Sequence, residues 1–219
     1  MFHVKQYQDV FEKLYLVQEE YNSHTNITRI RSKEEYWVKH IQDSLFLNEH
    51  IGSATTIIDV GSGGGYPGLP LAITNPGVRV VLNDSIQKKT RYLNLAKATL
   101  ALDNVEVITS RAETLGRDSA HRGCYDLAVA RAVADTAVLL EYLSPLVKVG
   151  GRVLIMKAGE VGEELKRAFG AMQRLSVKKE EVVRYNIGEN DRSLLVFTKQ
   201  KETPLKYPRE AGVPKQSPL

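Results

Sequence analysis

The sequence predicts an α/β fold: a mainly parallel seven-stranded sheet, closed by an antiparallel hairpin and preceded by a helical cap. Three observations carry that expectation. Residues 55–73, TTIIDVGSGGGYPGLPLAI, pass from a β-branched apolar run into five glycines within eight residues, and then into a helical pattern. From Thr55 onward, strand-like and helix-like windows alternate, which predicts right-handed crossovers and parallel pairing. The last two strand-like runs are separated only by a turn, so they must pair antiparallel.

In chain order, Val4 to Tyr21 places Tyr7, Val10, Phe11, Leu14, Val17 and Tyr21 at helical spacing. The segment Asn22 to Arg31 is a polar connection. Ser32 is an N-cap candidate, with Glu34 and Glu35 in the first turn that follows and Trp37, Val38, Ile41 and Leu45 as the buried stripe. Strands are expected at Thr55 to Val60, Arg79 to Asn83, Val105 to Thr109, Asp126 to Ala130 and Arg152 to Met156. Helices are expected at Ile86 to Leu100, Asp135 to Leu146 and Glu163 to Leu175. The closing hairpin joins Glu180 to Ile187 with Ser193 to Lys199 through a turn at Gly188 to Arg192. The organisation expected is a cap at 1–50, a main domain at 51–200 and a tail at 201–219.

Composition narrows the class. At 219 residues with 42% hydrophobic content, the chain can bury a substantial core. Its N-terminus carries charges where a signal peptide needs an apolar core, and no run approaches spanning length, so a cytoplasmic protein without a membrane role is expected. Cys124 is the only cysteine, which excludes an internal disulfide and a cysteine cluster for zinc. It follows Gly123 near a strand start and reads as a packing residue; no metal site is expected. The net charge of +4 is uneven: the last 21 residues hold five basic and two acidic side chains and four of the eight prolines. Such a tail reads either as an extended strap meeting an anionic partner or as a solvated end.

The glycines admit two frames. Gly63, Gly65 and Gly68 match the G-x-G-x-x-G of dinucleotide folds. Asp59, Gly61, Gly63 and Gly65 match the acidic-x-G-x-G-x-G pattern of S-adenosylmethionine sites, and here Gly61 follows the strand at once, as a turn hugging a strand end should. The second frame fits better, because the first places extra residues and Pro67 inside the turn. A parallel sheet finished by a hairpin is also the layout of class I methyltransferases, whereas a dehydrogenase continues with another βαβ half. A tight turn that binds nothing is the bland alternative.

Ligands of open parallel sheets bind beyond the carboxyl ends of the strands. Asp84 ends the second strand, where a carboxylate accepts hydrogen bonds from ribose hydroxyls or caps the helix beginning near Ser85. Ala112 and Glu113 follow the third strand, where adenine would lie. Arg111, Arg131 and Lys157 follow three strands and together predict a positive rim suited to phosphate, extended from the cap by Arg29 and Arg31.

These residues resemble a specific family. IIDVGSGGGYPGLPLAI, LNDSIQKKTRYLN, SRAET, YDLAVARAVA, MKAG and the ending RSLLVFTKQKETPLKYPREAGVPKQSPL are similar to the RsmG (GidB) family, as are NITRI and KHIQDSL in the cap. The likeness runs from about residue 22 to the C-terminus. It implies a class I methyltransferase that uses S-adenosylmethionine to methylate N7 of guanine 527 in the decoding-region loop of bacterial 16S rRNA. It also implies a cofactor set of Asp59, Gly61, Gly63, Gly65, Tyr66, Asp84, Ser85, Ile86, Ala112, Glu113 and Arg131. RNA contacts are expected from Arg29, Arg31, Arg111, Lys157, Lys206 and Arg209. The substrate expected is 16S rRNA in the small ribosomal subunit or an assembly intermediate, met by a monomer.

Guanine N7 carries an in-plane lone pair and no proton, so its attack on a methyl group needs no general base; alignment is what the enzyme must supply. The sequence agrees. It holds no Asp/Asn-Pro-Pro-aromatic motif for exocyclic amines and no Pro-Cys nucleophile for cytosine C5, and His24 and His40 read as structural or RNA-contacting. The alternatives are an S-adenosylmethionine enzyme acting on another RNA or a small molecule, a ribosome-binding protein with a vestigial pocket, and, third, a nicotinamide oxidoreductase.

Overall fold

The computed structural model describes residues 4–30, 32–131 and 134–219. A 3₁₀ turn at Val4–Tyr7 leads into α1 (Gln8–His24). Its buried face is Phe11, Leu14, Gln18 and Asn22, a stripe that turns polar where apolar Val17 and Tyr21 were expected. The two amides are buried because each has a partner. Gln18 Oε1 accepts from the Tyr66 hydroxyl (2.7 Å), and Asn22 Oδ1 accepts from the Ile27 N–H (2.9 Å), which folds back the connection.

Ser32 caps the second helical segment as expected, its hydroxyl accepting from the Glu35 N–H (3.1 Å). The segment then departs from a plain α-helix. After α2 (Lys33–Glu35) it widens into a π-helical stretch, Tyr36–Gln42, and closes as α3 (Asp43–Leu45). Widening to i→i+5 rotates the inward face. Tyr36, His40, Ile41 and Asp43 are therefore buried, while Trp37 and Val38 are only half-buried. A short α4 (Asn48–Ile51) delivers the chain to the sheet.

The strands and helices that follow are β1 (Thr56–Val60), α5 (Gly68–Thr74), β2 (Arg79–Asp84), α6 (Gln87–Thr99), β3 (Val105–Thr109), α7 (Ala112–Leu115), β4 (Tyr125–Arg131), α8 (Thr136–Leu143), β5 (Val147–Ala158), α9 (Gly162–Arg167), α10 (Phe169–Leu175), β6 (Val177–Ile187), β7 (Asn190–Lys199) and α11 (Val213–Gln216). The sheet order is β3-β2-β1-β4-β5-β7-β6. The first five strands are parallel, and β7 pairs antiparallel with both β5 and β6. The closing turn is tighter than the five residues expected. Ile187 pairs with Asn190, leaving Gly188 and Glu189 as a two-residue loop, and Gly188 takes the positive φ (58°) that such hairpins require.

Residues alternate between two cores. Ile57, Leu82, Leu127, Val129, Leu154 and Val196 face the side covered by the cap, α5 and α6. Ile58, Val81, Ala128, Ala130, Ile155 and Phe197 face the side covered by α8 and α10. Burial on both faces is what keeps these strands apolar throughout. The sheet order reverses direction between β1 and β4, which opens a crevice at their carboxyl ends.

Candidate functional site

The glycine turn is built by backbone geometry. Gly61, Gly63 and Gly65 all have positive φ (75°, 58° and 90°), and the N–H groups of Gly61 and Ser62 both donate to the Asn83 carbonyl (2.8 and 2.9 Å). Beneath the turn, Asp59 Oδ2 accepts from the Gly68 N–H at 2.9 Å. A Cβ at Gly68 would meet Leu82 Cδ2 at 2.2 Å and Asp59 Oδ2 at 2.8 Å, so only glycine allows α5 to start this close to the sheet.

A crevice of about 530 Å³ lies above this turn, within the size range of small-molecule sites. Of the expected cofactor residues it is lined by Gly61, Asp84, Ser85, Ile86, Ala112, Glu113 and Arg131. Asp84 stands on the wall of the crevice with both carboxylate oxygens engaged by the backbone. Its Oδ1 accepts from the Ile86 N–H (2.9 Å), an Asx turn that leads into α6 without capping it, and its Oδ2 accepts from the Gly63 N–H (3.0 Å) with Lys89 Nζ at 3.6 Å. Each carboxylate oxygen has capacity for a further hydrogen bond. Ile86 is 43% exposed, an apolar side chain on the crevice wall suited to cover a flat ring.

Four residues of the expected cofactor set, Asp59, Gly63, Gly65 and Tyr66, lie outside this lining. Asp59 is fully buried under the turn and acts on it through Gly68. Tyr66 is 3% exposed because the cap covers it: its ring stacks on His40 at 4.0 Å, and the Arg131 guanidinium lies 5.4 Å from its centroid. These residues support the site from below.

Arg131 is the hub between sheet and cap. Its guanidinium donates to the Lys39 carbonyl (2.7 Å), to Asp43 Oδ2 (3.2 Å) and to His40 Nδ1 (3.0 Å). A guanidinium only donates, so His40 Nδ1 accepts and Nε2 carries the hydrogen, which reaches Thr28 Oγ1 at 3.2 Å. Burial, and then the Arg131 charge, lower the His40 pKa to about 3, so the ring is neutral and structural. Arg131 also borders a second hollow of about 190 Å³, whose other walls include Lys39, Asp43, Lys157 and Arg192.

The expected basic rim is only partly free. Arg29, Arg111 and Lys206 are exposed, and Arg31 lies outside the described residues. The Lys157 ammonium is engaged within the chain, paired with Glu164 (2.6 Å) and bonded to the Ala134 carbonyl. Arg209 is likewise engaged, gripping Glu141, whose side chain is 0% exposed. Sequence reasoning missed Arg192, Lys89, Tyr142 and Lys215 among the lining residues. Lys89, in the first turn of α6, lay within the QKK run that follows Asp84 and was legible from its nearness to the end of β2; the other three reach their hollows only through tertiary packing. A further hollow of about 850 Å³ between α9, α10 and β6 is lined mainly by Leu165, Phe169, Met172, Val177 and lysine stems, away from the strand ends.

Burial pushes the Asp59 carboxyl up to about 7, against the lowering effect of the Gly68 N–H. The folded state therefore holds more protons than the unfolded chain between the ordinary value of 3.8 and about 7. Asp59's contribution to stability is complete below that window and is lost as pH rises through it. Asp59→Asn keeps an acceptor for Gly68 and buries no charge. Relative to wild type, it is expected to gain on the order of a few kcal/mol as pH rises from about 4 to 8. Melting midpoints measured across that range test this, and parallel curves for the two proteins would contradict it. His40 works in the opposite sense, its contribution being lost as pH falls from 6.5 toward about 3, but it does so in both proteins and cancels from the difference.

A glycine turn and an acidic strand end, set at the switch point of a parallel sheet that closes with a hairpin, form the layout of the class I methyltransferases. A SAM-dependent methyltransferase from Aquifex aeolicus has the same fold, with a TM-score of 0.60 at 17% identity, covering 80% of this chain and 97% of that one. The family described as rRNA small subunit methyltransferase G matches residues 7–195. Relatives bearing the name Ribosomal RNA small subunit methyltransferase G include one from Listeria monocytogenes serotype 4b, 40% identical over 99% of this chain and 91% of the relative. Another, from Pelotomaculum thermopropionicum, is 43% identical over 95% and 89%. The chain belongs to this family and is an rRNA methyltransferase. Among the described residues, no helix is long and apolar enough to cross a membrane.

Proposed function

We propose that the protein methylates N7 of guanine 527 in the decoding-region loop of bacterial 16S rRNA, with S-adenosylmethionine as methyl donor. The observation that carries this reading is the family match over nearly the whole chain, joined to a crevice of the right chemistry at the strand ends. Asp84 would accept from the ribose hydroxyls, Ile86 and Ala112 would flank the purine, and Gly61 would let backbone approach the rest. When bound, S-adenosylmethionine supplies an electrophilic methyl group.

The chain's own residues then have to position, not to move protons. N7 has no proton to lose, and the histidine beside the crevice is a neutral ring tied at both nitrogens. The hollow across Arg131 is where the target base would be held, after being unstacked from its loop. Exposed Arg29, Arg111 and Lys206 would meet phosphates, making binding salt-dependent. The protein would act in the cytoplasm, as a monomer, on the small subunit or an assembly intermediate.

The test is incubation of the purified protein with methyl-labelled S-adenosylmethionine and undermethylated 30S particles, followed by nucleoside mapping. Label is expected at one N7-methylguanosine in the decoding-region loop. Label at another nucleoside would reassign the acceptor, and binding of particles without label would indicate a ribosome-binding protein with a vestigial pocket.

A further inference from the structure

We propose that the C-terminal tail belongs to the cofactor pocket, and that Lys215 is a binding residue for the purine end of the ligand. The proposal rests on the reading of the crevice as an S-adenosylmethionine site and deepens it. The tail's basic, proline-rich composition suggested a strap for an anionic partner; its anchoring points elsewhere.

After β7 the chain returns across the face formed by α7 and α8, held at successive points. Arg122 donates to the carbonyls of Thr203 (2.6 Å) and Tyr207 (2.8 Å), and Arg117 donates to that of Pro208 (2.8 Å). Arg209 then closes on Glu141 with three side-chain contacts, at 2.9, 3.2 and 2.7 Å. Finally the Gly212 N–H donates to Glu113 Oε1 at 2.9 Å. Glu113 and Glu141 are both buried, and a solvated strap has no use for two buried carboxylates as docking points.

Glu113 joins the two structures. It lines the crevice and also receives the tail, so the position of one is mechanically tied to the other. One turn later, α11 places Lys215 on the wall of that same crevice, together with Ala112, Glu113 and Tyr142. This is the side of the crevice bordered by the loop after β3. Lys215 is exposed on this wall, so its donor-only ammonium is open to an acceptor that a ligand brings, and the ring nitrogens of an adenine are such acceptors.

Calorimetry on the full chain tests this with two probes. S-adenosylhomocysteine carries the whole adenosyl amino acid; 5′-methylthioadenosine keeps the purine and ribose but lacks the amino-acid end. Lys215→Ala is expected to raise Kd about tenfold for both probes, with Lys201→Ala, an exposed tail lysine outside the crevice, leaving both unchanged. Equal Kd values for Lys215→Ala and wild type would overturn the proposal. A loss with S-adenosylhomocysteine alone would place the lysine at the amino-acid end and overturn the purine assignment. Wild-type protein that binds neither probe would instead defeat the reading of the crevice itself.

Discussion

Arg131→Ala is expected to lower single-turnover methylation of small-subunit particles to about a hundredth or less, and to remove about 3–5 kcal/mol of folding stability. Both effects have one origin. The Arg131 side chain is 16% exposed and its partner Asp43 is 1% exposed, so the substitution leaves a buried carboxylate without its closest cation. Asp43 keeps the Tyr185 hydroxyl at 3.0 Å, but the nearest remaining guanidinium, that of Arg192, is 3.6 Å away. The same change frees the Lys39 carbonyl and His40 Nδ1 and uncovers one face of Tyr66. The cap then loses its register against the strand ends, and small misplacements of reacting groups are expensive in rate. Arg131→Lys should restore the charge but not the three-acceptor fork, giving partial recovery of stability and little recovery of rate. Calorimetric melting and quench-flow at saturating donor measure the two effects. A variant that matches wild type in both would show that Arg131 is peripheral.

Arg209→Met is the second large effect, and it is one of stability. Its partner Glu141 is fully buried and receives both the Arg209 side chain and its backbone N–H (2.8 Å). Methionine keeps the apolar stem and the backbone contact while removing the cation, so the carboxylate stays buried and only partly satisfied. A loss of about 3–5 kcal/mol is expected, a fall of roughly 10 °C in the melting midpoint for a chain of this size. Lys206→Met, at an exposed position three residues earlier, should leave the midpoint within about a degree, because surface changes away from such networks are near neutral. Similar midpoints for the two variants would mean that the Arg209–Glu141 clamp does not hold the tail.

Much of this molecule is legible from local pattern. Strand-like runs between helical windows located all seven strands, although β5, β6 and β7 each begin three or more residues earlier than the pattern suggested. Glycines after Val60 located the turn, and an acidic residue at the end of β2 located one wall of the crevice. These features are legible because backbone conformation and strand-end position depend on neighbours in the chain. Seven of the eleven residues assigned to the cofactor line the crevice for the same reason, since all but Gly61 and Arg131 sit within four residues of the ends of β2 and β3.

What tertiary structure alone decided is the partner of each charged or aromatic group. Arg131, Lys157 and Arg209 look alike in sequence, as cations near ligand-binding elements. Arg131 meets Lys39 and Asp43 from the cap, 92 and 88 residues away, and Arg209 meets Glu141, 68 residues away. The π-helical widening that turns Tyr36 and His40 inward, and the cap that removes Tyr66 from the crevice, are likewise products of packing. A chain's local pattern encodes where its backbone goes. Whether a side chain on that backbone is free to meet a ligand depends on which distant groups reach it first, and burial makes those pairings too favourable to give up.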